Sequence, residues 1–199
     1  MTKRRNNYRG YSRRKVDNRE IRQRFLIVCE GVETEPNYFK RFRVPKLVVD
    51  AKGLGVNPSQ LVDKAKDLRK KDEYDQVWCV FDRDSFPEQD FNNAVKNALE
   101  EKFRVAYSNE AFEVWYILHF QYLNTGIDRR QYKQKLTQLL GFEYEKNSDL
   151  MYESLLDRQQ VAIKNSTKLL EEYEPHNPAK NNPSTTVHLL VEELNKFIH

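Results

Sequence analysis

Residues 77–84 of this 199-residue chain read Val-Trp-Cys-Val-Phe-Asp-Arg-Asp, a run of five apolar residues followed by two acids that flank an arginine. Residues 25–31 repeat the pattern as Phe-Leu-Ile-Val-Cys-Glu-Gly, with a single acid after the apolar run. A short apolar run without alternation is typical of a β-strand that is buried on both faces, as in parallel sheets. The two stretches therefore predict inner strands of one parallel sheet.

Helical patterns separate these strands from two further apolar segments. Residues 46–50 and 103–107 predict two more strands. The predicted helices cover residues 35–43, the segment from a cap at Asn57 or Ser59 to Lys71, and residues 91–101 and 111–121. Strands that alternate with helices form βαβ units, so we expect an α/β fold in which helices flank a parallel sheet.

The pattern changes after Tyr122, where only amphipathic helices are predicted. They cover residues 129–140, 149–173 and 185–198. We therefore predict three parts of the chain. These are a basic arm over residues 1–23, an α/β core over residues 24–122, and a helical extension over residues 123–199 that packs on the core.

The acids that end the two apolar strands indicate a binding site. Ligands of open parallel sheets bind at the carboxyl ends of the strands. Asp82 and Asp84 point to the same side because side chains alternate with a period of two, and Glu30 joins them if the strands are neighbours. Crowded carboxylates repel unless a cation neutralises them, and their oxygens suit Mg²⁺ or Mn²⁺. The alternative is that the acids only end the strands and face solvent.

The net charge of +4 hides a basic amino terminus. The first 24 residues hold ten Lys or Arg residues against two acids, whereas the remainder has a small acidic excess. This arm lacks apolar periodicity, so we expect it to be disordered when free. Its cations predict contacts with nucleic-acid phosphates, and the alternative is a solvated tail that aids solubility. The candidate contact residues are Arg4, Arg5, Arg13, Arg14 and Lys15.

The composition disfavours several classes of protein. No apolar run approaches the ~18 residues of a membrane span, and the amino terminus lacks the apolar stretch of a secretory signal. The two cysteines, Cys29 and Cys79, each lie inside an apolar run, which is neither a disulfide framework nor a zinc motif. We therefore expect a cytoplasmic protein with buried thiols and no membrane partner.

Four motifs together resemble the RloB family, whose members are found with bacterial restriction and phage-defence loci. The motifs cover residues 25–39, 77–84, 108–120 and 182–185. That family is similar in turn to the Toprim fold of topoisomerases, primases and overcoming-lysogenization-defect nucleases. Toprim domains carry a glutamate after the first strand and Asp-x-Asp after the third, and Glu30, Asp82 and Asp84 match these positions. The resemblance implies a Toprim-like sheet.

The resemblance also implies roles for single residues. Glu30 would act as general acid/base or metal ligand, and Asp82 and Asp84 would bind Mg²⁺. Glu35 matches the second glutamate of the family's Glu-Gly-x-x-Thr-Glu-Pro pattern, so the candidate catalytic set is Glu30, Glu35 and Asp82. The chain departs from the family at Glu110-Ala111, where family members often have Pro-Cys.

Four further residues have both a structural and a functional interpretation. Glu113 either stabilises the first turn of its helix or supplies a fourth acid near the metal. His119 is either a core histidine or a general base. Ser184 and Thr185 either cap the last helix or help to bind phosphate at its amino terminus.

The leading functional hypothesis is a metal-dependent nuclease that cleaves DNA or RNA and that a partner ATPase could gate. An alternative is a nucleic-acid-binding or regulatory partner in a defence complex that has the fold without the activity. A lesser alternative is a haloacid-dehalogenase-like phosphatase, because Phe81-Asp82-Arg83-Asp84 resembles its nucleophile motif. Against it, that motif usually opens the fold, and Phe86 stands where a small hydroxyl residue is expected.

Overall fold

The structure is a computed structural model, and it describes residues 23–42, 47–84 and 86–198. The strands are β1 (Gln23–Cys29), β2 (Leu47–Gly53), β3 (Gln76–Asp82), β4 (Arg104–Asn109) and β5 (Ser184–Thr185). The helices are α1 (Thr34–Lys40), α2 (Pro58–Arg69), α3 (Glu88–Glu100), α4 (Glu113–Leu118), α5 (Arg129–Leu140), α6 (Met151–Leu155), α7 (Gln159–Glu171) and α8 (Val187–Asn195). A 3₁₀ turn, Leu156–Arg158, joins α6 to α7.

The strands form one sheet in the order β2-β1-β3-β4-β5. The first four are parallel, and β5 pairs with β4 in the antiparallel direction. The prediction of an α/β fold with a mostly parallel sheet is confirmed. The apolar runs are buried on both faces as predicted. In β1, Phe25 and Ile27 pack into one core cluster, and Leu26 and Val28 into the other.

Helices cover both faces of the sheet. Helices α2 and α3 bury Leu61 and Phe91 on one face. The other face carries α1, α4 and the helices that follow residue 123, all in one hydrophobic cluster. Helix α4 lies inside this layer, and Val114 and Trp115 are completely buried. The boundaries of the three predicted parts of the chain stay a prediction.

The predicted bounds of two helices after residue 123 are wrong. Residues 149–173 do not form one helix, because the 3₁₀ turn separates α6 from α7. The buried residues Met151, Leu155 and Gln159 keep a spacing of four across that turn, so the sequence pattern shows no break. The last helix begins at Val187, because Ser184 and Thr185 pair with the edge of β4 instead.

In the part of the chain that the structure describes, no helix is both long and apolar enough to cross a membrane.

Candidate acidic active site at the carboxyl edge of the sheet

The ends of β1 and β3 bring Glu30 and Asp82 together. The two strands are parallel neighbours, and the backbone N–H of Glu30 donates to the carbonyl of Val80 at 2.8 Å. The backbone N–H of Asp82 in turn donates to Oε2 of Glu30 at 3.1 Å. The carboxyl edge of the sheet therefore joins these two acids, as the sequence predicts.

Glu35 lies in the first turn of α1, and its side chain packs against Gly31. Its carboxyl group occupies the space that any side chain at position 31 would need, since a Cβ there would overlap all three carboxyl atoms. Glu35 is 4% exposed, and its Oε2 atom has no hydrogen-bond partner. The glycine is thus required here for the close approach of a carboxylate.

Glu113 is the first residue of α4 and brings a further buried acid. Its Oε1 atom accepts a hydrogen bond from the Tyr144 hydroxyl at 3.2 Å, while its Oε2 atom has no partner. Burial raises the pKa of both Glu35 and Asp82, and the carboxylate of Glu113 raises both further, so the three side chains act on one another. We call Glu30, Glu35, Asp82, Asp84 and Glu113 the acidic cluster.

The pKa values of Glu30, Glu35 and Asp82 are raised because these carboxyl groups are buried close to other acids. Burial, with the charges of Glu35 and Asp84, raises the pKa of Glu30 to about 7. Burial is also the main cause that raises the pKa of Asp82 well above its ordinary value, followed by the charges of Glu35, Glu113 and Glu30. Both desolvation and like charges disfavour the ionised form, so the cluster would favour a bound cation.

The loop after β3 aims Asp84 toward the same site. Asp84 has a φ of 35°, in the left-handed region that a residue with a side chain adopts at a cost. Its backbone N–H donates to the carbonyl of Glu110 at 3.1 Å. Arg83 holds the loop from the other side, since its guanidinium donates to the carbonyls of Ala179 and Phe86.

Arg129, the first residue of α5, reaches the cluster from the helical layer after residue 123. Its guanidinium lies 2.7 Å from Asp84 Oδ2 and 3.9 Å from Asp82 Oδ2. One guanidinium contacts both aspartates, so the two acids face the same site, although Asp84 lies in the loop after β3 and not in the strand whose alternation the prediction used. Lys146 also acts on the cluster: burial raises the pKa of Glu35, and the positive charge of Lys146 opposes that shift.

The acidic cluster fits a hard divalent cation in its chemistry. It offers carboxylate oxygens, two of which are buried without a partner, and burial together with the neighbouring acids raises the pKa of Asp82. In the described parts of the chain, however, no three His, Cys, Asp or Glu side chains are grouped closely enough to hold a metal ion as they stand. A cation there would have to draw carboxylates together.

The other sequence candidates either bond to backbone carbonyl groups or lie outside the described residues. His119 is 1% exposed, donates from Nδ1 to the Trp115 carbonyl at 2.8 Å, and packs against the Trp115 ring. Burial lowers its pKa to about 4. Ser184 and Thr185 are fully buried, and their hydroxyls donate to backbone carbonyls. The predicted contacts Arg4, Arg5, Arg13, Arg14 and Lys15 lie outside the described residues.

Sequence reasoning assigned no role to Arg129, Tyr144 or Lys146. Their contacts with the acids are long-range. Tyr144 is 31 positions away from Glu113 in the sequence, and Arg129 is 45 positions away from Asp84. The Asp128-x-x-Gln131 capping box predicts where α5 begins, but nothing in the local sequence shows what its first residue faces.

Comparison with known proteins identifies a family. Residues 25–194 match the family described as RloB-like protein, which confirms the resemblance seen in the sequence motifs. No curated protein and no solved structure matches the chain.

Proposed function

The chain belongs to the RloB-like protein family, and from that premise we propose that it is a Toprim-type, metal-dependent nuclease that cleaves phosphodiester bonds of DNA or RNA. The observation that carries the proposal is the acidic cluster. Acids that follow or end β1 and β3, together with acids from α1 and α4, lie at one largely buried site, where two of their oxygens have no partner. A structural role alone does not explain why the fold would bury carboxylates at this cost.

Glu30, Asp82 and Asp84 would hold Mg²⁺ or Mn²⁺, and Glu113 is placed to assist them. When bound, the cation would stabilise charge on the phosphate and lower the pKa of a bound water. Instead of binding the cation, Glu30 could act as the general acid/base, because burial raises the pKa of its free carboxyl group to about 7. Glu35 would add negative charge that strengthens cation binding.

Nucleic acid would be held by charges outside the acidic cluster. The basic arm, with Arg4, Arg5, Arg13, Arg14 and Lys15, remains our candidate for phosphate contacts. The proposal includes a cytoplasmic role in bacterial phage defence, because RloB-like proteins are found with defence loci. A gating ATPase partner is part of the same proposal.

One observation favours the alternative of a non-catalytic nucleic-acid-binding protein. Arg129 already neutralises Asp84 in part, and a salt bridge of this kind can replace a metal ion in a fold that no longer catalyses. The two functions predict different responses to a divalent cation, so one experiment separates them.

The test incubates the full chain with labelled tRNA, single-stranded DNA and duplex DNA, with Mn²⁺, Mg²⁺ or EDTA. We expect cleavage of at least one substrate only with the metal, and a loss of at least about 100-fold in Asp82→Asn, because an amide is a poorer ligand for a hard dication. Asp63→Asn is the matched control, since Asp63 is an exposed aspartate on α2.

Three outcomes would contradict the proposal. Cleavage by Asp82→Asn at the wild-type rate would remove the acidic cluster from the mechanism. Binding of nucleic acid without cleavage under every metal condition would favour the non-catalytic alternative. Hydrolysis of p-nitrophenyl phosphate without nucleic-acid cleavage would favour the phosphatase instead.

A further inference from the structure

Arg129 contributes positive charge to a site otherwise made of acids. Its guanidinium forms a short ion pair with Asp84 and lies within salt-bridge distance of Asp82. These are two of the carboxylates that would bind a divalent cation under the proposed function. A guanidinium and a dication would therefore compete for the same oxygen atoms.

The position of Arg129 is set by the fold. A capping box fixes the start of α5, because Asp128 accepts from the backbone N–H groups of Arg130 and Gln131 while the Gln131 side chain accepts from the Asp128 backbone. Helix α5 is anchored by Tyr132 and Leu136, which are buried in the same core cluster as α4. The guanidinium is thus delivered to the cluster by a well-anchored helix.

The Arg129 side chain can leave the cluster without disturbing the core. It is 43% exposed, whereas Asp82 and Asp84 beneath it are 9% and 23% exposed. A long side chain at the surface can turn into water at little cost in packing. The carboxylates cannot do the same, because strand β3 and its loop hold them.

We propose that Arg129 is an internal counter-ion of the acidic cluster, which neutralises Asp82 and Asp84 while no divalent cation is bound and is displaced when one binds. Without metal it reduces the repulsion among five acids, so the fold tolerates them. It competes with a metal ion for these carboxylates, because its positive charge repels the dication and its nitrogens bond to the oxygens that would ligate the metal. The inference rests on the proposed metal site.

The test measures metal binding and stability rather than cleavage. Arg129→Gln removes the counter-ion, and Arg130→Gln removes the same charge from the next residue, which is exposed and has its side chain in no ion pair among the described residues. Relative to Arg130→Gln, we expect Arg129→Gln to bind Mn²⁺ about three- to tenfold more tightly by calorimetry. In EDTA its melting temperature should be about 2–4 °C lower.

Arg129→Lys provides a second measurement if Arg129→Gln does not fold. A lysine keeps the charge but loses the planar fork that spans two carboxylates, so we expect a smaller gain in Mn²⁺ affinity, about twofold. Affinity equal to that of Arg130→Gln would overturn the counter-ion role. Weaker Mn²⁺ binding would also overturn it, because Arg129 would then support the metal site.

The outcomes also separate this inference from the proposed function. A gain in Mn²⁺ affinity in Arg129→Gln without nucleic-acid cleavage by any variant would uphold the counter-ion and contradict the nuclease. Cleavage by wild type together with unchanged affinity in Arg129→Gln would do the reverse. No Mn²⁺ binding by any of the proteins would overturn both.

Discussion

The two edges of the sheet carry acids in opposite circumstances. At the amino edge, Arg24 donates to Asp72 at 2.6 Å and Arg104 pairs with Glu193 at 2.9 Å. At the carboxyl edge, the acidic cluster is largely buried, and two of its oxygens have no partner. At the amino edge, the acids form ion pairs with arginines. At the carboxyl edge, the acids lie close to one another, which is unfavourable when they are ionised.

The pKa values express this difference. The hydrogen bond from Arg24 lowers the pKa of Asp72 to about 2. Although burial opposes it, hydrogen bonds from Lys196, Gln76 and Arg104 lower the pKa of Glu193 to about 2. Burial raises the pKa of Glu30 to about 7. A perturbation toward the neutral form, at a strand end, is the pattern expected of a functional site.

The largest effect is expected from Gly31→Ala. The new methyl group would collide with the Glu35 carboxyl, so the acidic cluster would be rearranged and metal-dependent cleavage should fall at least about 100-fold. The free energy of unfolding should fall by about 1–3 kcal/mol through overpacking. Activity assays and denaturant melts measure the two losses.

A double variant identifies the collision as the cause. Gly31→Ala combined with Glu35→Ala should recover most of the stability lost in Gly31→Ala, because the clashing carboxyl is gone. Additive losses in the double variant would show that the glycine is needed for another reason.

A smaller effect of the opposite sign is expected from Glu113→Gln. The change removes one of several repelling charges and keeps an oxygen that can accept from Tyr144. Thermal melts in EDTA should show a gain of about 1 kcal/mol in stability, while cleavage falls about tenfold or more. Tyr144→Phe is the control, and it should lose about 1 kcal/mol for the broken hydrogen bond. A Glu113→Gln protein as destabilised as that control would make Glu113 structural.

The pH dependence of stability should also differ between the edges. Glu30 has a pKa of about 7 when folded against about 4.3 when unfolded, so between these values the folded protein binds more protons. The contribution of Glu30 to the free energy of unfolding should therefore fall as pH rises, by about 1 kcal/mol from pH 6.5 to 8.5 in EDTA. Asp72 and Glu193, with lowered pKa values, contribute no slope in this window.

Melting curves of wild type and Glu30→Gln at these two pH values measure that slope. The comparison removes the contributions of His119 and His188, whose lowered pKa values make stability rise with pH in both proteins and so oppose the Glu30 contribution. Equal slopes in the two proteins would assign the pH dependence to groups other than Glu30.

The smallest effect is expected at the amino edge. Asp72→Asn removes an exposed ion pair, which solvent already screens, so the melting temperature should change by less than about 2 °C. The response to Mn²⁺ and the rate of cleavage should match wild type. A change in either would show that the two edges are coupled and that the acids of the amino edge are not purely structural.

Local pattern determined the fold class and the core of the site. Apolar runs such as Phe25–Cys29 form strands because burial on both faces suits no other short element, and alternating helices make the sheet parallel. Strand ends of a parallel sheet meet at one edge, so Glu30 and Asp82 could be brought together from the sequence. The sequence does not predict the edge strand β5, because a strand of two residues shows no periodicity.

Only the tertiary structure decided what surrounds those acids. Glu113, Arg129 and Tyr144 reach the site because α4 and the helical layer pack on one face of the sheet. Such contacts depend on the angle and depth at which helices dock, which the sum of many weak apolar contacts decides. The sequence by itself therefore determined where the carboxylates collect. The folded chain decided how deeply they are buried and which cation of the chain faces them.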